Sequence, residues 1–195
     1  MKLSLLALLA GLPCAALAQT TTNQPTSTAL GGESRVALTF TGGYDTDPRD
    51  RGRPVILIAA ALHVPSDVFR QAFSNVKPAP AGQQPDPDQV RKNKQTLMAS
   101  LGPYGVTDDR LNTVSNYYRY NRSRGEMWRA TPAAGYAAVR NGVVTGITIT
   151  DPGSGYSSPP SLSVPSMTNV TLTATLSFST DFAKNGSIKE IQIGP

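Results

Sequence analysis

The pair Asn141-Gly142, standing between AAVR and VVTGITIT, most narrows what this chain can fold into. Asn and Gly both accept the positive φ of a type I′ turn, and the flanking runs alternate apolar with polar residues, so a β-hairpin is predicted here. The texture is the same across the last third of the chain. From Thr131 onward Ser and Thr are dense and a period of two replaces a helical period. Val170 to Phe178 alternates in the same way, with Val170, Leu172, Ala174, Leu176 and Phe178 on one face. There is also an internal echo. N-G-V-V-T-G-I-T-I from Asn141 lines up with N-G-S-I-K-E-I-Q-I from Asn185, setting Val144 over Ile188, Ile147 over Ile191 and Ile149 over Ile193. Two copies are too few for a solenoid, so the second is predicted to complete one small sheet with the first.

Residues 35–130 read differently. A short strand over Arg35–Thr41 precedes a Gly-, Pro- and Asp-rich loop, GGYDTDPRDRGRP. Pro54 then fits the first turn of a buried helix through Val55, Leu57 and Leu62, with a buried strand as the alternative for VILI. Ser66 is the expected N-cap of a second helix carrying Val68, Phe69, Ala72, Phe73 and Val76. A third runs from its cap Asp86 and Pro87 to Gly102-Pro103, with Val90, Leu97 and Leu101 as its apolar stripe. Thr107 caps a fourth, with Asp108 and Asp109 beside the positive end of its dipole. The predicted class is α+β: a small N-terminal helical region, 35–130, followed by a C-terminal antiparallel β module, 131–195.

Asn141 to Val164, NGVVTGITITDPGSGYSSPPSLSV, resembles a repeat of the form NGxVTxITxTxPGSGYxSxP found in uncharacterised bacterial secreted proteins, surface proteins and some phage tail proteins. Gly153, Gly155, Tyr156 and Pro159 fall on the turn of that pattern. The resemblance implies a β-rich module with structural or attachment roles, and it carries no chemistry.

The N-terminus has the three parts of a secretory signal: Lys2, the apolar run Leu3–Leu12, and Ala16-Leu17-Ala18 as a cleavage site. The run is too short to span a bilayer, so no transmembrane segment is expected after cleavage. Cys14 raises a lipoprotein alternative, against which Pro13 stands where a small residue belongs. Cleavage after Ala18 gives a Cys-free mature chain, a polar Thr-rich spacer over 19–34, and a secreted or periplasmic destination. With a single His and a single Cys, the sequence offers no set for a His/Cys zinc site, a Ser-His-Asp triad or a redox pair. No catalytic residue, metal or cofactor is predicted. Two suggestive patterns fail on inspection. Asp45, Asp47 and Asp50 have Arg49, Asp50 and Ile56 where an EF-type calcium loop needs a ligand, a glycine and a glutamate, so a self-paired loop is expected. His63 lies near Ser66 without any nucleophile turn, and is expected at a helix end.

Charge singles out one window. The net charge is +5, yet residues 19–109 hold nine basic and nine acidic side chains and residues 130–195 three of each. The surplus of the chain beyond the signal lies between Arg110 and Arg129. On a helical wheel Leu111, Val114 and Tyr118 form one stripe, while Arg110, Tyr117, Tyr120 and Arg124 share the opposite side. With Arg119, Arg122 and Trp128 these residues are the predicted ligand-binding set. Arginine beside exposed aromatic rings suits an anionic glycan or an envelope protein partner, and export directs the chain away from nucleic acid. The competing reading packs Tyr117 under the β module and leaves the arginines solvated or paired. The expected function is thus an exported, non-catalytic binding or structural component. The alternative is a secreted hydrolase using two acidic residues, although no spacing selects a pair.

Overall fold

The computed structural model describes residues 32–77, 86–121 and 124–194. The signal peptide, Cys14, nearly all of the spacer and Arg122 lie outside the described residues. The order is β1 (Glu33–Ala37), β2 (Thr39–Thr41), a 3-10 turn (Pro48–Asp50), α1 (Val55–Leu62), α2 (Ser66–Ser74), α3 (Pro87–Leu101), a 3-10 turn (Gly102–Tyr104), α4 (Asp108–Tyr117), then β3 (Ala134–Arg140), β4 (Val143–Asp151), β5 (Ser161–Ser163), β6 (Leu172–Ser177) and β7 (Ser187–Ile193). This is a mixed α+β fold, with helices in the middle and antiparallel sheets concentrated toward the C-terminus.

The predicted hairpin is β3–β4, and Asn141 and Gly142 take φ of 51° and 75° at its turn. The echo is a structural repeat, but its two copies lie in separate sheets, β1-β3-β4 and β6-β7, and do not complete one sheet as expected. In β4 the register slips so that Val139 faces Val144 while Ala138 faces Gly146, leaving Thr145 as the extra residue. In β7 Leu176 faces Ile188 while Thr175 faces Glu190, leaving Lys189 extra. Both hairpins therefore carry a bulge at the same place in the repeat. Ala174, Leu176, Ile188 and Ile191 of the second hairpin join Ile149 of the first in one apolar cluster around Tyr156.

The helical and β regions are interwoven. β1 pairs with β3 and β2 with β5, so strands lying before the helices complete sheets lying after them. The predicted Arg35–Thr41 strand is split at Leu38, which turns to join the cluster of Ala137, Val139 and Val164. β1 begins at Glu33, inside the predicted spacer, because Glu33 finds a partner register opposite Arg140.

Within the helical region VILI is helix, as read, and not the alternative strand, with Val55, Leu57, Ala59, Ala61 and Leu62 of α1 buried. His63 ends it in a left-handed conformation (φ 58°), its N–H bonded back to Ala59 and Ala60. Ser66 is not the N-cap of α2. Pro65 holds that place in extended backbone, so the helix starts one residue earlier than the hydroxyl suggested. Asp86 and Thr107 cap α3 and α4 as expected, accepting from the N–H of Asp88 and Arg110. Val90 departs from its stripe at 47% exposure, since only the C-terminal end of α3, through Leu101, enters the core. α4 stops at Tyr117, so the helical wheel does not extend to Tyr120 and Arg124.

Among the described residues no single helix is long and apolar enough to cross a membrane, and no group of three or more His, Cys, Asp or Glu side chains could hold a metal ion.

Candidate functional site

The Gly-Ser-Gly-Tyr turn is where the repeat meets the helices. Asp151 Oδ1 accepts from Gly153 N–H at 2.8 Å, and Ser154 and Thr131 exchange both backbone bonds, at 2.9 and 3.0 Å. Gly155 has φ 84°, and a Cβ there would sit 2.6 Å from Arg129 O. Tyr156 is buried, accepts from Ala133 N–H at 2.8 Å through its hydroxyl, and stacks on Tyr44 at 5.4 Å between centroids. Tyr44 meets Trp128 edge-on, and Trp128 meets Tyr120 edge-on. The indole N–H of Trp128 donates to Gly155 O at 2.8 Å. Trp128 is only 5% exposed, and the Tyr120 hydroxyl donates to Gly52 O. These two rings tie the helices to the β module rather than presenting a surface, which corrects their placement in the predicted ligand-binding set. The reason is geometric: with α4 ended, the chain runs back so that Arg129 to Ala133 packs its backbone against Gly153 and Gly155, whose missing side chains allow that approach, and Trp128 is carried inward with it.

Asn185 makes a second tie. Its side chain is fully buried, donates through Nδ2 to Leu57 O and Tyr118 Oη at 2.8 Å each, and accepts from Ser179 N–H at 3.1 Å. Burial pushes the Tyr118 hydroxyl up to about 12.

Tyr117 and Arg110 are brought together, with a partner the sequence did not single out. The connection from β6 to β7 spans nine residues where β3 and β4 are joined by two, and it lays Phe182 flat on Tyr117, with centroids 4.0 Å apart and planes 7° apart. The Arg129 guanidinium lies over Tyr117 at 5.4 Å and that of Arg110 over Phe182 at 5.0 Å. Arg110 is fixed by donating to Ala61 O and Thr180 O. Beside this stack opens a groove of about 520 Å³, lined by Tyr117, Phe182, Asp151, Gly153, Ser154 and Asp181 among others. Asp181 Oδ1 accepts from Ala183 N–H at 3.0 Å, as Asp151 does from Gly153, so each carboxylate braces its own turn; Asp181 Oδ2 also lies 3.9 Å from Lys184 Nζ.

Of the remaining predicted residues, Arg119 and Arg124 are exposed. Glu126, the acid of that window, accepts from Asn121 N–H at 2.7 Å. Phe182, Asp151 and Asp181 were missed. The one signal, for Phe182 and Asp181, was the second copy's lack of a tight turn at its Asn-Gly, a length difference that hands a loop to the helical side.

The expected self-pairing of the DTDPRD loop holds for Asp47 alone, while Asp50 and Asp45 find partners outside it, in Arg70 and Ser158. Asp47 grips Arg49, and Asp50 grips Arg70 of α2 through two hydrogen bonds of 2.6 and 3.0 Å. The Arg49 contact holds the Asp47 carboxyl down to about 2.

No protein-family model, curated protein or solved structure matches this chain.

Proposed function

We infer that the protein is an exported, non-catalytic binding component, secreted or held in the envelope, whose groove at Tyr117 and Phe182 takes an anionic glycan. The observation that carries this reading is the stacked pair of Tyr117 and Phe182 on the wall of an open groove, with the guanidiniums of Arg129 and Arg110 lying over those two rings behind the wall. A guanidinium held over a ring face by its charge still has N–H donors for a carboxylate or sulfate. Arg129, which is exposed, is the reader of the negative group, whereas Arg110 spends donors on Ala61 and Thr180 and positions Phe182. The second oxygen of Asp151 accepts from a sugar hydroxyl, and that of Asp181 is shared with Lys184. The signal-like N-terminus and the likeness of Asn141–Val164 to secreted and surface repeats support export and attachment.

The test is calorimetric titration of the purified protein with a uronic-acid oligosaccharide and with a neutral one of equal length. Saturable binding of the acidic oligomer is expected, weakened about tenfold by Tyr117→Ala and by Arg129→Ala, the scale of one lost charge-assisted or stacking contact. Unchanged affinity in both variants would sink the assignment. Replacing Arg119, Arg122 and Arg124 together by alanine reads the contribution of the outer basic surface.

A secreted hydrolase is the second reading, favoured by Asp151 and Asp181 lining one groove. It requires the acidic oligomer to be shortened on prolonged incubation, and Asp151→Asn or Asp181→Asn to abolish that. Pure binding requires neither.

A further inference from the structure

A second cavity, separate from the groove, is walled by the loop Asp47–Arg53 and α2. Asp47 caps the 3-10 turn, Pro48 starts it, and Arg51 and Gly52 come next with φ of 52° and 83°. This double reversal brings three arginines of one short loop to the same rim. Asp50, 4% exposed, is turned inward, and Arg70 reaches across from α2 to hold it. One helical turn further, Phe73 lies under the Arg53 guanidinium at 4.2 Å. The result is a cavity of about 210 Å³ whose walls include Arg49, Arg51, Arg53, Arg70, Phe73 and the single carboxylate of Asp50.

The one carboxylate within those walls is already engaged. Asp50 is matched by Arg70, which also meets Asp67 at 2.5 Å, and Arg49 is matched by Asp47 from outside the cavity. Arg53 is half-buried, and its polar contact is to a main-chain acceptor, Asp50 O, at 3.3 Å, together with the ring face of Phe73. Burial lowers its hold on its proton from the ordinary value, the mark of a cation drawn partly out of water, though a guanidinium stays charged. A cation so placed gains most from an anion that brings its own oxygens to the remaining N–H groups. The cavity lies below the roughly 300 Å³ at which drug-sized sites begin, which fits one compact oxyanion group.

We propose that this cavity binds a phosphoryl-type oxyanion, as the free ion or as a monoester on a sugar, with Arg53 as the central donor and Arg51 and Arg49 at the rim.

The experiment is calorimetric titration at a fixed ionic strength of about 0.15 M, where screening is held constant. The probes are inorganic phosphate, a hexose phosphate monoester, and chloride as control. Arg53→Met keeps the packing against Phe73 and removes the charge. Arg51→Asn removes a rim charge with a residue suited to the left-handed backbone. Saturable phosphate or monoester binding by the wild type is expected, weakened about tenfold in Arg53→Met and less in Arg51→Asn, with unchanged circular dichroism. Tighter binding of the monoester assigns the site to a phosphorylated sugar, and equal binding assigns it to the free ion. No saturable signal with either probe, the same signal with chloride, or full affinity retained in both variants would overturn the proposal.

Discussion

Replacing Asn185 by alanine removes three hydrogen bonds at one fully buried point, to Leu57 O, Tyr118 Oη and Ser179 N–H. At about 1 kcal/mol net for each bond, with part of the desolvation left uncompensated, the expected loss is about 3 to 4 kcal/mol. Asn141 holds the equivalent place in the first copy but is exposed at a hairpin turn with φ 51°, so Asn141→Ala is expected to cost about 1 kcal/mol, the price of a left-handed alanine. Asn185→Asp keeps the shape yet sets a carboxylate oxygen against the Leu57 carbonyl, and should be worse than alanine. The assay is equilibrium urea unfolding followed by circular dichroism. With a slope of about 2 kcal/mol per molar urea, a loss of about 3 kcal/mol moves the midpoint by about 1.5 M. Equal shifts for Asn185→Ala and Asn141→Ala would refute the view that the second copy's Asn is a tie between helices and sheet.

Gly186→Ala should be still more damaging, because φ is 67° and a Cβ would collide with Tyr156 O and lie 2.6 Å from Leu57 Cδ2; Gly142→Ala at φ 75° meets open space, and a loss of about 1 kcal/mol is expected. Comparison of their urea midpoints checks this. Tyr118 is expected to ionise only near pH 12 in the folded protein, read as a late step in absorbance at the phenolate band. Its raised value means that the associated stability is whole below the ordinary tyrosine value of 10.0 and fades as pH climbs through about 12. At the other end, the lowered Asp47 carboxyl contributes above its ordinary 3.8, and that contribution is lost as pH falls through about 2, so Asp47→Asn should flatten the acid limb of stability against pH.

Local signals carried well from sequence to structure where the chain's own backbone satisfies them. Asn141-Gly142 turns a hairpin, Asp86 and Thr107 cap helices, and the repeat of Asn141 and Asn185 is real down to its bulges. What failed depends on partners distant in the chain. The helical wheel placed Tyr117 and Tyr120 side by side on solvent, but α4 ends at Tyr117, and the surroundings of the chain beyond it are set by the close approach of Arg129 and Ala130 to Gly155 and by Phe182, over sixty residues from Tyr117. The two copies also look alike in sequence while doing opposite work. Asn141 faces water, and Asn185 is locked inside, because only the second copy meets α1. Pairing of β1 with β3 could not be read either, since alternation fixes which face is apolar and leaves the partner strand open.

The groove is tested most directly by two-dimensional amide NMR of the labelled protein titrated with a uronic-acid oligosaccharide. Shifts are expected to converge on Tyr117, Arg129, Gly153, Ser154 and Phe182, with the Arg129 side-chain signals moving in step. Shifts scattered over the surface, or confined to residues remote from the stacked rings, would contradict the assignment of this groove as the binding site.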